Sequence, residues 1–99
     1  MRVVARNWSP PDLRAEVDLV AWDGERLVFV EVKSRRDALH GDPERAIDPL
    51  KKMLVASAAR HFLRHWRIPP DRARFDLVTV VFHPFQMRHI PDAWSLRES

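Results

Sequence analysis

The sequence predicts a mixed α/β fold in which a small β-sheet packs on one main helix. Three observations carry that expectation. Two runs, Arg14 to Trp22 and Arg26 to Ser34, alternate β-branched and apolar residues with others on either side of Asp23-Gly24. From Pro49 to about Trp66, apolar residues recur at helical spacing. A third β-rich run, Arg74 to Phe82, follows the helix.

Taken in order, Met1 to Trp8 reads as a short strand, and Ser9-Pro10-Pro11-Asp12 as a loop. Asp-Gly favours a tight hairpin turn, because Gly adopts the required backbone conformation without steric cost. With Asp23 and Gly24 as the loop residues, Trp22 pairs with Glu25, Asp18 faces Phe29 and Glu16 faces Glu31. A slip of two residues sets Asp18 opposite Glu31 and leaves the faces unchanged. Asp37 to Ile47 is polar, with Gly41 and Pro43, and reads as a loop. Asp48 is placed to cap the helix, with Pro49 at its first position, where the missing N–H does no harm. Pro69-Pro70 stops it.

Val55, Ala58, Ala59, Phe62 and Trp66 form the helix's apolar stripe, with Leu54 on its shoulder and Arg60, Arg64 and Arg67 opposite. Asp71-Arg72 is a turn, His83-Pro84 a breaker, and Gln86 to Ile90 a short final strand. Pro91 to Trp94 then tucks in an aromatic, and the last five residues fray. The order β-β-β-α-β implies a right-handed crossover through the helix. Val17, Leu19, Val28, Val30 and Val32 are expected to face the helix, leaving Val20, Leu27 and Phe29 on the other face.

The 99 residues suffice for one domain spanning 1–99. At 45% hydrophobic and 31% charged, the composition is that of a folded chain. The absence of cysteine excludes disulfides, zinc-thiolate sites and thiol nucleophiles. With neither a membrane-length apolar run nor a signal-peptide core, the expected location is the cytoplasm. Residues 1–50 carry 8 basic and 10 acidic side chains, and residues 51–99 carry 9 and 4. The second half is therefore suited to a polyanion such as nucleic acid.

Strand alternation projects Glu16, Asp18, Glu31 and Lys33 from one side of the hairpin. Like charges in a sheet repel, and a divalent cation relieves that conflict because hard cations take oxygen ligands. Asp18 followed by Glu31-Val32-Lys33 is the pattern of PD-(D/E)xK nucleases. In that pattern Asp18 and Glu31 hold Mg²⁺ or Mn²⁺, while Lys33 orients the attacking water and balances phosphate charge. The competing reading is a solvated charged face in which Lys33 merely neutralises Glu31.

The chain resembles the YraN family, predicted endonucleases with a restriction-endonuclease-like fold related to archaeal Holliday-junction resolvases. The matching runs include Ala5-Arg6-Asn7-Trp8, Glu16 to Val20, Leu27 to Arg35 and Lys51-Lys52. Arg74 to Val78 and His89 to Ala93 complete them. The resemblance implies Asp18, Glu31 and Lys33 as the nuclease motif, Glu16 as a neighbouring acid, and branched or structured DNA as substrate in recombination or repair. Family members usually begin with a helix bearing a Gly-Glu signature, whereas here Met1 opens directly on the strand. Two expectations follow: a site with one acid fewer, and either a homodimer through the uncovered face of Val20, Trp22, Leu27 and Phe29 or a misplaced start codon in the gene.

Arg35, Arg36, Lys51 and Lys52 are candidate phosphate contacts, which position nucleic acid without reading sequence. His61 and His65 sit four apart but have no third ligand in view, and His83 and His89 receive no role. The four Trp residues are too scattered for a base-stacking platform. Two functions lead: a metal-dependent DNA endonuclease, and a nucleic-acid-binding module that has lost cleavage with the N-terminal helix. A protein-interaction domain, with the acids as surface decoration, is the third.

Overall fold

The computed structural model describes residues 1–37 and 49–95, so the expected loop after Asp37, the Asp48 cap and residues 96–99 lie outside the described residues. Five strands form one mixed sheet in sequence order: β1 (Arg2–Trp8), β2 (Val17–Asp23), β3 (Arg26–Asp37), β4 (Ala73–His83) and β5 (Phe85–Trp94). Neighbours are antiparallel except β3 and β4, which are parallel and joined through α1 (Pro49–His65). The α/β class and the packing on one helix match expectation.

The central hairpin closes at Asp23↔Arg26, so its loop is Gly24-Glu25 and not Asp23-Gly24. Gly24 has φ +60° and Glu25 does not share that region, the pattern of a turn with glycine at its first central position. The resulting register pairs Leu19 with Val30 and Val20 with Phe29, which is the two-residue slip. Continued one step, it sets Asp18 level with Glu31.

The helix packs on the opposite face of the hairpin from the one expected, although Val17, expected to face it, does join its core. Val20, Leu27, Phe29, Phe75 and Leu77 are buried under Val55, Ala58, Ala59, Phe62 and Leu63. The small Ala56, Ala58 and Ala59 let the helix approach closely, and the Phe62 ring stands edge-on to Phe29 and Trp8 at 5.9 and 5.1 Å. Val28 and Val30 lie on the far face, while Val32 is exposed. Since α1 already covers Val20, Leu27 and Phe29 and Trp22 is half-buried, the face through which a homodimer was expected is not the bare surface foreseen. Edge-to-face aromatic contacts with Phe29 explain the choice: the larger ring sits where the helix can bury it.

Trp66, expected in the helix stripe, is 60% exposed, and Leu63 takes its place in the core. The helix has closed by then. Ile68 N–H donates to Leu63 O (2.8 Å) and Arg67 N–H to Arg64 O (3.2 Å), with Arg67 left-handed at φ 55°. The final strand is ten residues long, not short. It continues past Pro91 because the ladder shifts between Phe75↔Trp94 and Leu77↔Ile90, leaving residues 91–93 as an unpaired bulge.

Candidate functional site

The site forms where β2 and β3 part. Their last paired residues are Leu19 and Val30. Beyond them the Val32 N–H donates to Asp18 Oδ2 at 2.7 Å, so a side-chain carboxylate serves where a neighbouring strand's carbonyl would have. That bond holds Asp18 at the mouth of the gap, beside Glu31.

Glu31 is the buried member, 6% exposed. Lys51, from the first turn of α1, places its Nζ 3.3 Å from Glu31 Oε1. The other oxygen, Oε2, is buried with no hydrogen-bond partner. Burial above all, and then repulsion from Asp18, pushes the Glu31 carboxyl up from the usual 4.5 to about 7, against the opposing pull of Lys51 and Lys33. A buried carboxyl raised toward neutrality, with one oxygen unserved, is the kind of group that clusters at functional sites.

Lys33 is exposed on β3, two residues beyond Glu31. Glu16 is exposed just ahead of β2 and, with Lys51, Ser9, Arg14 and Leu54, lines a pocket of about 310 Å³. Lys52 is half-buried beside Lys51, whereas Arg35 and Arg36 lie further along β3, half-buried and exposed. The structure thus brings together Asp18, Glu31, Lys33 and Lys51, sets Glu16 in the adjoining pocket, and carries Arg35 and Arg36 away from it. Among the described residues no three Asp, Glu, His or Cys side chains gather to hold a metal by themselves. Two carboxylates with a free buried oxygen nevertheless fit Mg²⁺, which commonly takes one or two protein carboxylates and completes its shell with water and substrate phosphate.

A second charged cluster, on the face away from α1, escaped the sequence reading. Asp76, fully buried, accepts from Arg74 Nε and Nη2 (2.9 and 3.0 Å) and from the Asp92 N–H (3.0 Å), and His89 Nε2 lies 2.6 Å away. Arg74 also reaches Asp23 at 2.9 Å. Burial pushes the Asp76 carboxyl up, but the hydrogen bonds from Arg74, Asp92 and His89 outweigh it and leave the group below the usual range. His89, given no role from the sequence, therefore anchors β5. The signal available was Arg74-x-Asp76 on a β-run, a spacing that puts both side chains on one face.

No helix among the described residues is long and apolar enough to cross a membrane. The profile of uncharacterised protein family UPF0102 matches residues 1–80. Relatives described as UPF0102 proteins include one from Solibacter usitatus, 44% identical over 79 residues, 80% of this chain and 60% of that protein. A second, from Anaeromyxobacter dehalogenans, is 45% identical over 96 residues, 94% of this chain and 69% of the relative. UPF0102 protein GSU0650 of Geobacter sulfurreducens is 39% identical over 98 residues, 96% of this chain and 75% of its own length. Against relatives from Solibacter usitatus and Syntrophus aciditrophicus the chain spans only 60% and 65% of their length. The chain belongs to the uncharacterised protein family UPF0102.

Proposed function

We propose that this chain is a metal-dependent DNA endonuclease of the PD-(D/E)xK type, in line with its resemblance to the YraN family, acting on branched or structured DNA. The observation that carries the reading is Glu31: buried, raised to about 7, with one oxygen on Lys51 and the other unserved, beside an Asp18 fixed by a backbone N–H. Asp18 and Glu31 would hold Mg²⁺ or Mn²⁺. When bound, such an ion polarises the phosphoryl group and lowers the pKa of water.

The chain's own residues divide the remaining work. Lys33 orients the attacking water and opposes the negative charge that grows on the phosphate. Lys51 offsets the charge of Glu31 from 3.3 Å and sets a positive group at the edge of the site where a substrate phosphate would approach. Val32 N–H keeps Asp18 from swinging toward solvent, which spares reorganisation when substrate arrives. Lys52, Arg35 and Arg36 supply backbone contacts further out.

A second reading, nucleic-acid binding without cleavage, is favoured by one observation: only two carboxylates converge among the described residues. Cleavage of labelled four-way-junction, flap and linear DNA with Mg²⁺ or Mn²⁺, beside an Asp18→Ala, Glu31→Ala double variant, separates the two. Metal-dependent cutting by the wild type alone supports the nuclease. Salt-sensitive binding by both, with no cutting, supports the binding module.

A further inference from the structure

Past the carboxylates the sheet continues as a three-stranded ribbon. β3 and β4 stay paired from Glu31↔Leu77 to Asp37↔His83, and β4 turns into β5 at Phe82↔Phe85. The two rings at this tip are 51% and 68% exposed, with centroids 6.4 Å apart, and Met87 beside them is 65% exposed. Water-exposed aromatics paired at a hairpin end contribute little to the core. Residues 32–37 and 78–89 carry Lys33, Arg35, Arg36 and Arg88 against a single acid, Asp37, so the ribbon suits an anionic partner.

Alternation fixes where the rings stand. Phe82, Phe85 and Met87 share the face of Val32 and Val80, whereas Glu31 and Lys33 share the face of Leu77 and Thr79, toward α1. The rings lie five residues beyond Leu77, roughly 17 Å along the strand. A strand of nucleic acid that touches both the carboxylates and the rings has to cross from one face of the ribbon to the other, around its end or the side of β3 past Val30. Duplex DNA, with a persistence length of about 150 bp, does not make that turn, and an unpaired strand does. Bases freed from pairing also offer the faces that aromatic side chains stack on.

We infer that Phe82 and Phe85 form a base-stacking tip that selects DNA carrying an unpaired arm next to the phosphodiester presented to the Asp18 and Glu31 site. This inference rests on the reading of the carboxylate site as a DNA site. An arm that keeps the stacked rise of roughly 3.4 Å per nucleotide needs about five nucleotides to cover that length.

The test is binding with Ca²⁺ in place of Mg²⁺, a hard cation that takes the same oxygen ligands, followed by fluorescence anisotropy, of a blunt duplex and of the same duplex with a ten- or a three-nucleotide arm. Wild type is compared with a Phe82→Ala, Phe85→Ala variant and a Phe82→Trp, Phe85→Trp variant, all checked for native circular dichroism. The expected result is a preference of roughly tenfold or more for the ten-nucleotide arm, from stacking of one or two bases. That preference should be lost in the alanine variant and kept in the tryptophan variant, with blunt-duplex affinity unchanged in both, and 2-aminopurine in the arm should be quenched only when rings are present. Equal wild-type binding to armed and blunt DNA, or a preference that survives the alanines, overturns the inference while leaving the DNA reading intact. No binding to any DNA overturns both. A sedimentation mass that falls from dimer to monomer in the alanine variant, with DNA binding unchanged, identifies the tip as a protein contact and also overturns it.

Discussion

Lys51 Nζ lies 3.3 Å from Glu31 Oε1 and joins the start of α1 to the middle of β3 across the mouth of the site. The contact lowers the carboxyl's pKa, although burial and Asp18 together raise it further than the lysine can offset. Replacing Lys51 by Met removes that restraint, so the Glu31 titration should move above about 7. Because the lysine is partly exposed, the loss of stability at pH 8 should be only about 1 kcal/mol, and smaller still at pH 5, where Glu31 is neutral. Carboxyl-resolved NMR titration and urea melts at the two pH values check both statements.

The raised Glu31 gives a stability profile of a specific sign. Below pH 4.5 the carboxyl is neutral in both folded and unfolded chains and costs nothing extra. Between 4.5 and about 7 the unfolded chain releases the proton while the folded chain keeps it, so metal-free stability falls as pH rises. The full cost, present above about 7, corresponds to roughly 3 kcal/mol. Glu31→Gln should therefore stabilise the metal-free protein by about 2–3 kcal/mol at pH 8 and leave it nearly unchanged at pH 4. Added Mg²⁺ should raise the melting temperature of wild type and not of the glutamine variant.

Asp76 has the opposite sign. Its carboxyl is held below the usual 3.8, so its contribution is complete above that value and is lost as pH falls below it. Asp76→Ala leaves Arg74 without its bidentate partner and the Asp92 N–H without an acceptor. It should cost about 3–5 kcal/mol, read by chemical denaturation at pH 7. Amide exchange should quicken first at Asp92 and Ala93, in the bulge that this carboxylate organises.

Arg67 closes α1 from a left-handed conformation that side chains adopt at a cost and glycine does not. Arg67→Gly should stabilise the protein by about 0.5–1 kcal/mol, the backbone relief outweighing the extra freedom of the unfolded chain. A thermal melt of the variant decides it.

The strand–helix order, the span of α1 and the parity of the hairpin were legible because they depend on local periodicity and on Gly, Pro and Asp at fixed places. Parity says which side chains travel together, not which set the helix chooses. Val28 and Val30 look as suitable for the core as Val20 and Phe29, and the decision rests on a ring packing between Phe62 and Phe75 across the chain. β5 was underestimated because its polar residues and Pro91 conceal a strand that is held in place by Asp76 and by Trp94 stacked on Phe75 at 5.3 Å. Among the site residues, Asp18, Glu31 and Lys33 follow from alternation. That Lys51 would meet Glu31, and not a phosphate, could not be read without the approach of α1 to the sheet.

The irregularities in the two outer strands bear on how the protein keeps to itself. β1 and β5 are the open margins of the sheet, and a straight margin of unpaired N–H and C=O groups recruits further strands. Val4 breaks the register of β1 between Val3 and Ala5, and Arg2 and Arg6 place charge along it. On the other side, the β5 bulge and Pro91 interrupt the donor row. Among the described residues, neither margin offers the long, flat template on which further strands add.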